Sequence, residues 1–115
     1  MAAELPIEFE SLLARCMGDK DFTREMLGLF RTQFAQNLAA LDAGLAAGDT
    51  EAVRKSAHAM KGSAANLSAA PLSKLCAAIE QDAKSGKIPP ASAVEAMKAE
   101  YQRVLAYYPT VESRL

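Results

Sequence analysis

Tryptophan is absent from this sequence, histidine occurs once and cysteine twice. Each scarcity removes a class of function. One histidine and two widely separated cysteines, Cys16 and Cys76, offer neither a metal-ligand cluster nor a CxxC pair, which argues against a zinc hydrolase and against a disulfide scaffold. Both cysteines fall at apolar helical positions and are expected to be small buried core residues. Positive charge is not in excess either: 13 Lys and Arg face 14 Asp and Glu, a formal net charge of −1, so nothing drives nucleic-acid binding. No apolar run is long enough to cross a bilayer. The start, Met1-Ala2-Ala3-Glu4-Leu5-Pro6, lacks the basic segment and apolar stretch of a secretory signal, so the expectation is a cytoplasmic protein with no membrane partner. A Gly-x-x-x-x-Gly-Lys loop is missing as well, which speaks against ATP binding and self-phosphorylation.

What is present points to helices. Half of the 115 residues are hydrophobic, many of them alanine, and aromatics make up 6%. Such a composition suits small and medium side chains on closely packed helices in a single domain spanning residues 1–115. Punctuation and spacing divide the chain into one short and four longer helices. Pro6 opens a short one carrying Phe9, Leu12, Leu13 and Cys16, ended by Gly18. Asp19 or Asp21 caps a long helix with Phe22, Met26, Leu29, Phe30, Phe34, Leu38, Leu41 and Leu45 on its core stripe, stopped by Gly48. Asp49 or Thr50 caps the next, with Val53, Ala57, Met60, Ala64 and Leu67. A fourth begins around Ser68 and Pro71, buries Leu72, Leu75, Cys76, Ile79 and Ala83, and ends at Lys84-Ser85-Gly86. Pro89-Pro90 breaks the chain; Ser92 and Glu95 then have capping-box spacing, and Val94, Met97, Tyr101, Val104, Leu105 and Tyr108 lead up to Pro109. Short connections favour antiparallel neighbours, so the expected fold is all-α, an up-and-down four-helix bundle with a short additional N-terminal helix.

One segment is not explained by bundle-building. At about 100° per residue, His58 lies about 140° from the centre of the stripe formed by Val53, Ala57, Met60, Ala64 and Leu67, and so should face solvent. Its neighbours at helical spacing are Arg54 and Lys55 before it and Lys61, Gly62 and Ala65 after it, a basic face stripped of bulk. A glycine in a helix interior costs roughly 1 kcal/mol relative to alanine, so something gains from the missing side chain at Gly62. A partner approaching the imidazole would. An imidazole that attacks a phosphoryl group acquires a dianionic substituent, and Lys61 can follow and partly neutralise it. With an ordinary pKa near 6.5, histidine keeps its neutral, nucleophilic ring well populated at pH 7. A serine nucleophile is a poorer candidate, because Ser63 lies on another side of the same helix. Arg54 and Lys55 also fit an ordinary solvated face, and Asn66, although outward, needs no catalytic role.

The run Ala57-His58-Ala59-Met60-Lys61-Gly62-Ser63-Ala64-Ala65-Asn66-Leu67, followed by Leu72, Leu75-Cys76 and Glu80, resembles the histidine-containing phosphotransfer (HPt) domain family of bacterial and eukaryotic phosphorelays. The helix layout extends the likeness over nearly the whole chain. The resemblance implies a four-helix bundle with a short helix laid across one end, His58 as exposed phosphoacceptor on the second bundle helix, and Lys61 and Gly62 at the positions used for phosphoryl support and partner access. Arg54, Lys55 and Ala65 then join Gly62 on the partner-facing surface. Where many relatives have Leu-Gly-Ala this chain has Leu67-Ser68-Ala69, and a serine there is expected to cap the following helix.

The function expected is that of a phosphocarrier, not an enzyme: a two-component phosphorelay protein that carries a phosphoryl group on His58 between aspartates of receiver domains. Its partners would be response-regulator receiver domains and a hybrid histidine kinase. It needs no cofactor of its own, since the resemblance assigns the Mg²⁺ to the receivers. The alternative is a helical binding module that docks on a receiver or kinase without carrying phosphate. An acid-labile, base-stable phosphate on His58 separates the two.

Overall fold

A computed structural model describes residues 4–115; the first three residues of the Met1–Pro6 start lie outside the described residues. Five helices make up the fold, with no strand among the described residues: α1 (Phe9–Arg15), α2 (Lys20–Ala47), α3 (Thr50–Asn66), α4 (Ala70–Lys84) and α5 (Ala91–Glu112). Helices α2 to α5 form the bundle. Consecutive members pack on one another through short turns, and α1 closes one end, packing on α2 and tied to the α3–α4 turn by Glu8 N–H donating to the Ser68 carbonyl.

The helix boundaries follow from local chemistry. Of the candidate caps, Asp19 and Asp49 act, their carboxylates accepting from the Phe22 and Ala52 amides. Gly48 ends α2 at φ +66°, a left-handed conformation that glycine adopts without a Cβ clash. The α4 start differs from expectation. Ser68 caps nothing: it sits at φ +59°, and its hydroxyl pairs with that of Ser11 at 2.8 Å, while Ala69 precedes α4 with no side-chain cap. Nor does the Ser92–Glu95 capping box form, because α5 already begins at Ala91 behind Pro90. Helix α5 also runs through Pro109 to Glu112. Fully buried Val111, and Arg114 stacked over the Phe9 ring at 4.0 Å, hold that last turn against α1 and offset the missing proline N–H.

The core runs the length of the bundle, with Phe34, Leu41, Met60, Leu72, Ile79, Met97 and Val104 fully buried. Where α2 meets α5, rings fill the space: Phe34 and Tyr101 lie 4.4 Å apart, and the Tyr108 hydroxyl donates to the Leu27 carbonyl at 2.7 Å. Both cysteines are free and buried, and burial pushes the Cys76 thiol up to about 12. The expected α2 stripe needs correction at its start. Phe22 and Leu29 are 44% and 47% exposed, while Thr23 and Leu27 are buried in their place. Met26, Leu29 and Gln33 lie beside Ser63, Asn66 and Leu67 around a small cavity of about 70 Å³, so α3 ends level with that part of α2. The first turns of α2 therefore extend beyond the end of α3.

Candidate functional site

His58 stands on the middle of α3 with its side chain 64% exposed, as the periodicity predicts. It is not free of the protein. Its Nδ1 lies 2.7 Å from Oε2 of Glu80, and Lys61 Nζ lies 2.6 Å from the other oxygen, Oε1. Glu80 comes from α4, on the same face as Leu72, Cys76, Ile79 and Ala83, and its side chain is only 10% exposed. Register between the two helices is fixed nearby by the Ser73 hydroxyl, which donates to the Lys61 carbonyl.

These contacts define the chemistry of the ring. Lys61 foremost, and then the bond from His58, hold the Glu80 carboxyl below its ordinary range against the opposing effect of burial. An ionised carboxylate only accepts, so Nδ1 carries the proton and a neutral His58 presents its lone pair on Nε2. Nε2 is the nitrogen that faces away from α4. The next turn of α3 leaves it clear: a Cβ built on Gly62 would meet nothing within 4 Å, so close helix packing does not account for this glycine. Ala65, one turn further, is half-buried and lines a cavity of about 360 Å³ with Ser11, Arg15, Ser68, Ser73 and Lys74.

The face is less basic than its sequence suggests. Arg54 is turned back to Glu51, its Nε and Nη2 donating to the two carboxylate oxygens at 3.0 and 2.6 Å, and Lys61 is neutralised by Glu80. Lys55 is exposed. The structure therefore joins His58 and Lys61 through Glu80, keeps Gly62 open beside them, and leaves Arg54 and Lys55 outside that contact network. Glu80 entered the sequence reading only through the resemblance, with no role. Its signal was a charged residue one turn after Cys76 and one before Ala83, a buried stripe on which a carboxylate needs a cationic partner. Among the described residues no group of three or more His, Cys, Asp and Glu side chains is placed to hold a metal ion.

The Hpt domain model matches residues 25–107 of the chain. The chain belongs to the Hpt domain family. Among solved structures, histidine-containing phosphotransfer protein B (HptB) from Pseudomonas aeruginosa PAO1 matches with a TM-score of 0.87 and 26% identity, over 98% of this chain and 99% of that one. No curated protein matches. The Hpt fold of five helices and the histidine-phosphotransfer function in a phosphorelay are thereby established for this chain. Hpt proteins are phosphocarriers rather than enzymes, and they work with response-regulator receivers and histidine kinases. No helix among the described residues is long and apolar enough to cross a membrane.

Proposed function

We propose that His58 is the phosphoacceptor, and that it exchanges a phosphoryl group with the aspartates of receiver domains without any kinase activity of its own. The observation that carries this reading is the ring itself: Nδ1 is anchored to Glu80 at 2.7 Å, and the opposite nitrogen is directed to solvent beside a glycine. Nε2 attacks phosphorus, the P–O bond of the aspartyl phosphate breaks, and the electron pair leaves with the carboxylate. The ring takes on positive charge, which the Glu80 carboxylate offsets through the retained Nδ1–H. Lys61 follows the new dianion. On this reading Mg²⁺ is supplied by the receiver, a hybrid histidine kinase provides the first receiver, and the protein works in the cytoplasm. Incubation with a phosphorylated receiver tests it: acid-labile, base-stable phosphate should appear on this chain, and receiver binding without such transfer would reduce the protein to a docking module.

Two substitutions probe the flanking residues. Lys61→Ala should leave His58 reactive but slow transfer by roughly tenfold or less, since it removes a mobile charge and not the nucleophile. Equal rates for variant and wild type at low and moderate ionic strength would assign Lys61 to structure alone. Gly62→Ala should raise stability by up to about 1 kcal/mol, because its methyl enters open space. Gly62→Leu should stay folded yet obstruct the receiver, so transfer falls by about tenfold or more, an expectation of the order seen when a reacting group is displaced by a fraction of its contact distance. Normal transfer by a folded Gly62→Leu protein would show that access over this turn is immaterial.

A further inference from the structure

Of the three cations that flank His58 on α3, Lys55 is exposed and the other two are engaged with a carboxylate. Lys61, just under one turn after the ring, is held by Glu80; Arg54, one turn before it, is held by Glu51 through two hydrogen bonds. Glu51 lies in the first turn of α3, where the helix N-terminus favours its charge, and one turn further from the ring than Arg54. The spacing of four residues puts Arg54 and His58 side by side on the helix surface, their Cβ atoms about 5–6 Å apart, within the reach of a long guanidinium stem. Glu51, seven residues before His58, is two turns away. The Glu80 carboxylate also acts on Arg54 through space, adding to the larger effect of Glu51. The Glu51–Arg54 pair lies at the surface, Glu51 exposed and Arg54 half-buried, and surface pairs are weak enough for a dianion to compete.

We infer that Arg54 is a second ligand for the phosphoryl group on His58, held in reserve by Glu51 until that group arrives. The inference rests on His58 as acceptor. Once the P–Nε2 bond has formed, the guanidinium exchanges two carboxylate oxygens for two phosphoryl oxygens, a swap its planar fork permits because both groups present the same paired geometry. No bond to hydrogen or phosphorus changes in this step. Glu51 is left to water, which its exposure allows. The pair thus tunes how strongly the protein retains phosphate: Arg54 favours the phosphorylated state, and Glu51 opposes it by competing for the same cation.

The test needs no receiver. Wild type, Arg54→Ala, Glu51→Gln and the double variant are phosphorylated chemically with phosphoramidate, and the phosphohistidine ³¹P signal is followed against pH. A cation beside the phosphoryl group favours its dianion and lowers its second pKa. The expected order runs from Glu51→Gln, lowest, through wild type to Arg54→Ala, highest, in steps of about 0.2–0.6 unit, the size appropriate to a surface pair. The double variant should titrate like Arg54→Ala, because Glu51 acts only through Arg54. If Arg54→Ala titrates like wild type, Arg54 never leaves Glu51 and the inference fails. It fails equally if Glu51→Gln lowers the pKa as much without Arg54 as with it, since Glu51 then acts by its own charge. Absence of phosphohistidine on the wild-type protein would instead overturn the acceptor reading beneath it.

Discussion

His58→Gln is expected to accept no phosphoryl group from any phosphorylated receiver while unfolding within about 0.5 kcal/mol of wild type. The two halves of that result have separate causes. His58 lies off the buried stripe of Val53, Ala57, Met60 and Ala64, so its ring contributes little packing. Its hydrogen bond to Glu80 can be replaced, because a glutamine amide also donates to a carboxylate. Lys61 stays on the other oxygen, and the buried carboxylate is not left without a cation. What the amide lacks is a nucleophilic nitrogen, and this chain has no second histidine to take over. Labelled transfer and thermal melts on the same preparation decide the matter. Label retained at more than a trace would place the acceptor elsewhere, whereas a large loss of stability would make His58 a structural residue.

The sequence carried the parts of this site that lie along one helix. His58, Lys61, Gly62 and Ala65 share α3, so their spacing alone fixes their relative positions, and the capping chemistry of Asp49 fixes where the helix begins. Glu80 could not be placed in the same way, because its contact to His58 depends on the register of α4 against α3, which sequence periodicity does not give. The charge balance of the face was hidden for a related reason. Arg54, Lys55 and Lys61 read as a basic patch until the structure supplied the carboxylates that hold two of them. Within the fold, α2 shows the limit of a stripe read from one helix. Its 28 residues outlast the 17 of α3, so Phe22 has the right spacing for a core residue and yet stays 44% exposed. Pro109 shows the converse, a strong local stop overridden by the burial of Tyr108 and Val111 on either side.

Glu80 is therefore where the structure adds most, and Glu80→Gln is expected to cut the rate of phosphoryl transfer to His58 by about 10- to 100-fold, a size taken from the loss of carboxylate partners behind metal-bound imidazoles. The amide oxygen can still accept from Nδ1, so the ring is not released. It no longer carries the charge that holds the Nδ1–H tautomer and offsets the positive ring formed on phosphorylation, and Lys61 loses its anchor. Ring ¹⁵N shifts should register the change as a mixture of tautomers in the variant against Nδ1–H alone in the neutral wild-type ring, a signature that a packing defect would not produce. Stability gives a second, independent reading. Lys61 and His58 depress the folded-state pKa of Glu80 below its ordinary 4.5, so the carboxylate's contribution is fully present above that value and is lost as pH falls through the lowered one. Wild type should accordingly exceed Glu80→Gln in melting temperature near neutrality, and the gap should close on acidification below about pH 4.5. A gap that stays constant into strong acid, together with unchanged tautomers and transfer rates, would reduce Glu80 to a buried carboxylate with no part in the chemistry of His58.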